Sequence, residues 1–192
     1  MSPPCPVVAI YGGSFNPPHV GHAMVTQYVL WMGHASAVWL LPVHRHAFEG
    51  RHDKILAPFE DRVRWCAAMA SEIQGDVQVC TVERSLPPPN YTYVTLVHLA
   101  KQHPQLRFRL IIGADSVPHL TEWHRWDDIV DQFDPIVIGR QGHPCPEGVH
   151  TVDMPGVSST EVRRRLAAGN AVGHLLTREV AALLNDASPW TP

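Results

Sequence analysis

Near the start of the chain, the string Gly12-Gly13-Ser14-Phe15-Asn16-Pro17-Pro18-His19-Val20-Gly21-His22 combines the features of an anion site. A Gly-Gly pair lets backbone approach a ligand closely and adopt unusual dihedrals. A helix opening beyond it offers unpaired N–H groups and the positive end of its dipole. His19 and His22 are three residues apart, so in a first helical turn both imidazoles reach one side of a bound anion. A second string, Val157-Ser158-Ser159-Thr160-Glu161-Val162-Arg163, carries the same chemistry. Hydroxyls and first-turn amides at a helix start, with Arg163 one turn further on, suit charge-assisted bonds to phosphate oxygens. Taken singly, each string also reads as ordinary structure: a pair of surface histidines, or a capped helix with a solvated basic face. Taken together, they describe two helix N-termini that hold one polyphosphate from two sides.

Neither of the familiar glycine-rich phosphate loops is present, since the chain has no GxxxxGK[ST] and no GxGxxG. The first string resembles instead the (H/T)xGH signature of the nucleotidyltransferase superfamily, with His19 and His22 as the pair, and the second resembles its SSTxxR element. Ile111-Ile112-Gly113-Ala114-Asp115-Ser116, followed by Leu120, Trp123, His124 and Trp126, is similar to the GxDs…LxxWxxW segment of bacterial nicotinate-nucleotide adenylyltransferases. Asn90-Tyr91-Thr92 resembles their (S)YT element. Phosphopantetheine adenylyltransferases, in the same superfamily, lack the tryptophan segment. Class I aminoacyl-tRNA synthetases resemble the two-helix arrangement but are far longer than this chain.

The resemblance implies transfer of the adenylyl group of ATP to nicotinate mononucleotide, giving nicotinate adenine dinucleotide and pyrophosphate. ATP would lie on Gly12 to Asn16, on His19, His22 and Asp115, and on Ser158 to Thr160 with Arg163. In that family, residues matching Tyr91 and Trp123 flank the pyridine ring, and amides near Thr92 and His124 meet its carboxylate; Arg140 completes the acceptor set. Such contacts make chemical sense, because an aromatic face suits a flat heterocycle and amide donors favour an ionised carboxylate over a carboxamide. His19, His22 and Arg163 are the catalytic candidates. The reaction needs no general base, since a phosphomonoester with a second pKa of about 6 is largely dianionic at neutral pH. Mg²⁺ would bridge the phosphates, with no protein side chain as its ligand.

Other readings stay open at this level. The acceptor is alternatively nicotinamide mononucleotide or phosphopantetheine, and a nucleotide-binding sensor without turnover would carry the same motifs. A metal-dependent hydrolase using His19, His22 and Asp115 lacks a third ligand at recognisable spacing. Ser14 and Asn16 replace the Thr and Asp most often seen in the bacterial signature. The loop from Val43 to Lys54 departs further, because the family usually has a PPHK-like string there. Arg45, His46, Arg51 and Lys54 keep that loop basic.

The elements that must position these residues follow from short apolar runs alternating with helix-period segments, the pattern of βαβ units around a parallel sheet. Strands are expected at Val7 to Tyr11, Ala37 to Leu41, Val77 to Val82, Phe108 to Ile112, Pro135 to Ile138 and Val149 to Val152. Helices are expected at Val20 to Met32, Phe59 to Ile73, Tyr91 to Lys101, from after Ser158 to before Gly169, and at Thr177 to Leu184. The stretch Val117 to Val130 reads as mostly helical or irregular, with Trp126 in ordinary core packing. In the first helix Val20, Met24, Val25, Tyr28 and Trp31 form the expected sheet-facing stripe. The fold class is α/β, a Rossmann-like doubly wound parallel sheet, in one nucleotidyltransferase domain over residues 1–192.

Composition bounds the rest. With 45% apolar residues the chain buries a real core, and a net charge of -3 provides no basic surface for a long polyanion, so nucleic acid is not expected as a partner. The four cysteines show no CxxC spacing, which indicates neither a zinc site nor a disulfide framework. With no signal-like segment and no long apolar run, a cytoplasmic protein away from membranes is expected.

Overall fold

The structure is a computed structural model that describes residues 5–45, 56–144, 152, 154–186 and 189–190. Its strands are β1 (Val7–Gly13), β2 (Ala37–Pro42), β3 (Asp76–Val79), β4 (Arg107–Gly113) and β5 (Ile136–Ile138). Its helices are α1 (Val20–Trp31), α2 (Phe59–Ser71), α3 (Thr92–Gln102), α4 (Trp126–Phe133), α5 (Ser159–Ala167) and α6 (Arg178–Asp186), with 3-10 segments at Val82–Ser85 and Ala114–Glu122.

The five strands pair in the order β3-β2-β1-β4-β5, all parallel. The chain builds outward from β1 to β3, then crosses back and lays β4 against the other side of β1. Strand order therefore reverses between β1 and β4, and ligands of open α/β sheets bind outside the carboxyl ends of the strands at such a point. Gly12 and Gly13 are the last residues of β1, beside Leu41 and Pro42 of β2, and Gly113 ends β4 beside Ile138.

Successive residues of a strand face opposite sides, and β1 and β4 are apolar on both. Ala9 and Ile111 pack into one core with Val25 and Val29 of α1, Trp65 and Met69 of α2, Val162 of α5 and Val180 of α6. Val8, Ile10, Leu110 and Ile112 pack into the other with Leu96 and Leu99 of α3 and Ile129 and Phe133 of α4. This double-sided burial makes the sheet doubly wound. Glu72, just past α2, accepts hydrogen bonds from the amides of Arg178 and Glu179 at 3.1 Å each and caps α6.

Three expectations need correction. In α1 the buried stripe is Gly21, Val25 and Val29, whereas Met24 and Trp31 are 44% and 72% exposed. At 3.6 residues per turn, positions 21, 25 and 29 form one row, and residues 24 and 31 fall on the far side of the helix. The third strand stops at Val79 rather than Val82, because the chain turns into the 3-10 segment where the Glu83 side chain is drawn inward. Of the strand expected at Val149 to Val152, residues 149–151 lie outside the described residues and Val152 is not in a strand; an isolated parallel bridge joins Arg140 to Met154 instead. The Val117 to Val130 region resolves into the 3-10 segment carrying Pro118, whose missing N–H disfavours an α-helix, followed by α4.

Candidate active site

At the carboxyl ends of β1 and β4 lies a cleft of about 290 Å³, and next to it a smaller chamber of about 70 Å³. Tyr11, His22, Asp115 and Arg140 border both. The larger cleft runs from Gly12, Gly13 and Ser14 to Tyr91, Thr92, Trp123 and His124, and the smaller is closed by His19, Gly21 and Val157.

The two histidines are built into the start of α1. His19 is the N-cap residue, and its backbone N–H donates to His22 Nδ1 at 3.1 Å. An accepting Nδ1 leaves the proton of the neutral ring on Nε2, so His22 presents an N–H donor. The rings lie 3.8 Å apart at 33°. Burial, with a contribution from Arg140, pushes His19 down to about 4. Burial also holds His22 well below the ordinary histidine range, reinforced by His19 and Arg140. Both rings are therefore neutral at neutral pH, and each offers one N–H. Gly21, which the sequence reading passed over, makes this possible: a Cβ there would sit 3.0 Å from His19 Nδ1. Its signal was its place inside the signature.

Gly12 has nothing within 4 Å of a Cβ position and leaves backbone open to the cleft, whereas a Cβ on Gly13 would come within 3.3 Å of the Phe15 ring. Phe15 has φ 44 and is 1% exposed, with its ring 4.9 Å from His22 and 5.6 Å from Tyr11. Asn16, also 1% exposed, accepts the Ala57 amide at 2.9 Å. Phe15 and Asn16, expected at the nucleotide, thus turn their side chains inward and shape the loop from beneath.

The second signature packs on the first. Ser158 Oγ accepts the Glu161 amide at 3.2 Å as N-cap of α5, and Ser159 Oγ donates to the Pro17 carbonyl at 2.8 Å. Arg163 donates to the Asn16 carbonyl at 2.8 Å and to Thr160 Oγ1 at 3.2 Å. Arg164 and Arg165 instead bond the Glu161 carboxylate and hold it at about 2, well below the usual carboxylate range. Arg163 is therefore the arginine of this run that reaches the histidine loop. The segment Ser158 to Arg163 borders neither chamber, so its role includes bracing the loop as well as any contact to phosphate.

Arg140, expected at the acceptor, ion-pairs with Asp115 at 2.5 Å and donates to the Val157 carbonyl at 3.0 Å. It stands between the two chambers rather than on the acceptor wall alone. That wall carries Tyr91, N-cap of α3, whose ring lies 4.5 Å from the His124 ring at 31°, and Thr92, the first residue of α3. Trp123 is half-buried on the cleft and meets Trp126 edge-on at 6.1 Å, with Trp126 half-buried behind it against the second core.

Sequence reasoning missed Arg62 and Glu83. Arg62 is 2% exposed and donates to the carbonyls of Ser14 at 2.9 Å and Ala57 at 3.1 Å, tying the glycine loop to the start of α2. A cue existed, because Arg62 occupies the apolar stripe it shares with Trp65, Cys66 and Met69. Glu83 is 4% exposed and borders the cleft; burial raises it to about 7, although bonds from His44 and Thr95 and the nearby Arg62 favour its charge.

Two helix N-termini at a parallel-sheet switch point, with neutral histidines facing a cleft, define a nucleotidyltransferase of the cytidylyltransferase-like family, whose pattern matches residues 10–165. The chain belongs to that family, and within it to the nicotinate-nucleotide adenylyltransferases. It is 46% identical over 182 residues to a probable nicotinate-nucleotide adenylyltransferase of Anaeromyxobacter sp. (strain K), covering 93% of this chain and 94% of that one. It is 36% identical over 185 residues to the protein of the same name from Myxococcus xanthus, covering 95% and 94%. The fold matches that of Plasmodium falciparum nicotinic acid mononucleotide adenylyltransferase complexed with NaAD, with a TM-score of 0.78 at 18% identity over 96% and 97% of the chains.

Proposed function

We propose that the protein, acting as one nucleotidyltransferase domain in the cytoplasm, transfers the adenylyl group of ATP to nicotinate mononucleotide, forming nicotinate adenine dinucleotide and pyrophosphate. The observation that carries this reading is the neutral His22 standing between two adjoining chambers, with the neutral His19 closing the smaller one and Tyr91, Trp123 and His124 walling the larger. A structural neighbour complexed with NaAD, and family relatives named for this activity, support it.

The acceptor phosphate is its own nucleophile, so the protein's task is to align two anions and stabilise the charge that builds at the α-phosphorus. The His22 Nε2–H donates to a phosphate oxygen from a ring that needs no proton from solvent. The His19 ring lies against it, 3.8 Å away between centroids. Arg163 and the Ser158 to Thr160 turn serve the leaving pyrophosphate. Tyr91 and Trp123 receive the pyridine ring, and the Thr92 and His124 amides its carboxylate. Asp115, paired to Arg140, meets the nucleotide from the junction of the chambers.

Mg²⁺ fits as a passenger of the triphosphate. Among the described residues no group of three His, Cys, Asp or Glu side chains is placed to hold a metal, and Asp115 is committed to Arg140. Bound there, the ion would neutralise phosphate charge.

A pyrophosphate-release screen of ATP against nicotinate mononucleotide, nicotinamide mononucleotide and phosphopantetheine tests the proposal. Turnover with nicotinate mononucleotide is expected to dominate. Release with phosphopantetheine alone would overturn the acceptor, and no release with any would overturn the activity.

A further inference from the structure

The segment that leaves β2 is held amide by amide. The Val43 amide donates to the Gly13 carbonyl at 2.9 Å, the His44 amide to Glu83 Oε2 at 2.9 Å, and the Arg45 amide to Asn90 Oδ1 at 3.1 Å. Glu83 and Asn90 are themselves joined, since Asn90 Nδ2 donates to the Glu83 carbonyl at 3.2 Å, and both are buried, at 4% and 6% exposure. Thr95 of α3 donates to the other carboxyl oxygen, Oε1, at 3.4 Å. Val43, Glu83 and Asn90 border the cleft, and Asn90 directly precedes Tyr91. One buried pair thus connects the exit of β2, the start of α3 and the aromatic wall.

Burying a carboxyl and a carboxamide beside a cleft is costly unless they have partners, and here the partners are the backbone of the cleft rim. A structural ion pair would join Glu83 to Arg62, whose charge acts on it; instead Arg62 bonds the Ser14 and Ala57 carbonyls. We propose that Glu83 and Asn90 are a positioning pair for the acceptor side of the cleft. By fixing the backbone of His44 and Arg45 at the exit of β2, beside the residue that precedes Tyr91, they set the affinity for the phosphate-bearing acceptor and leave that for ATP unchanged. The inference rests on the adenylyl-transfer reading for its kinetic consequence but not for the contact itself.

The test uses the full chain with Glu83→Ala, Glu83→Gln, Asn90→Ala and Asn90→Asp. Gln at 83 keeps an oxygen for the His44 amide, and Asp at 90 keeps one for the Arg45 amide. Two readouts are taken: hydrogen exchange at the amides of residues 43–45, and KM for acceptor and for ATP with whichever acceptor the pyrophosphate screen returns. The alanine variants are expected to lose protection at their own partner amide and to raise acceptor KM about tenfold, the scale of one lost buried hydrogen bond. ATP KM should stay within about twofold, and the Gln and Asp variants should recover most of the loss. Unprotected His44 and Arg45 amides in the parent protein would overturn the pin itself. Acceptor KM unchanged, or both KM values rising together, would overturn its role. A parent protein that turns over no acceptor would defeat the activity reading alone, leaving the exchange measurement to judge the pin.

Discussion

His22 is where residue chemistry is most sharply defined, because one backbone N–H from His19 sets its tautomer and burial sets its charge. A donor that strengthens as charge builds on phosphate acts in the transition state, and removing one costs roughly a hundredfold in rate. His22→Ala should therefore lower kcat by about that factor while the ATP dissociation constant, measured by calorimetry, changes little. Turnover near that of the parent would remove His22 from the mechanism. Glu83 makes a prediction of a different kind. Burial pushes its carboxyl up to about 7, above the ordinary glutamate value of 4.5, so the fold prefers the neutral acid. The stability this preference confers is complete below about pH 4.5 and is lost as pH rises through 7. Glu83→Gln cannot ionise and escapes that loss. Thermal midpoints at pH 5, 6, 7 and 8 should show the variant gaining on the parent as pH rises, by on the order of 2 kcal/mol in all. A constant difference across that range would show that Glu83 is not buried as an acid.

At the scale of elements, the site is an agreement between α1 and α5, joined by Arg163 to the Asn16 carbonyl and Ser159 to the Pro17 carbonyl. Arg163→Ala breaks the first of these, and Arg164 and Arg165 cannot replace it because both are held on Glu161. ATP affinity and kcat are expected to fall together, and Arg163→Lys should recover only part, since an ammonium lacks the planar fork. Unchanged ATP affinity would reduce the Ser158 to Arg163 segment to a capped helix. Glu72 offers the contrasting case, an element contact remote from the cleft. Glu72→Ala uncaps α6 and should cost about 1 kcal/mol in urea unfolding with kinetic constants unaltered. A matching loss of activity would mean that α6 supports the site.

The whole molecule decides which acceptor is taken, because the cleft wall is assembled from the start of α3 and the segment between β4 and α4. If Thr92 and His124 amides meet a carboxylate, the carboxamide of nicotinamide mononucleotide leaves buried donors poorly paired, at about 1 to 3 kcal/mol each. kcat/KM should then favour the acid by about tenfold or more, and Trp123→Ala should raise acceptor KM while leaving that for ATP nearly unchanged. Equal kcat/KM for acid and amide would refute this specificity and leave adenylyl transfer standing.

What the sequence determined by itself is whatever depends on neighbours along the chain. The histidines three apart, the hydroxyl run at Ser158 and most of the alternation of strand and helix are local patterns found within a few residues of where they are read, while Gly12 and Gly13 extend β1 rather than turning after it. Tertiary structure decided what depends on partners far away. Met24 and Trp31 fit a helical stripe as well as Val25 and Val29 do, and only the sheet's placement selects which row is covered. Glu83 looks like a solvated charge, and only an apolar stripe hints at Arg62, yet their partners lie 48 residues from Arg62 at Ser14 and 39 residues from Glu83 at His44. The resemblance assigns Asp115 to ATP and Arg140 to the acceptor, and a pairing across 25 residues sets them side by side. Local spacing encodes which groups are available, whereas burial and long-range hydrogen bonds, which set their charge and aim, exist only once the sheet has brought the strand ends together.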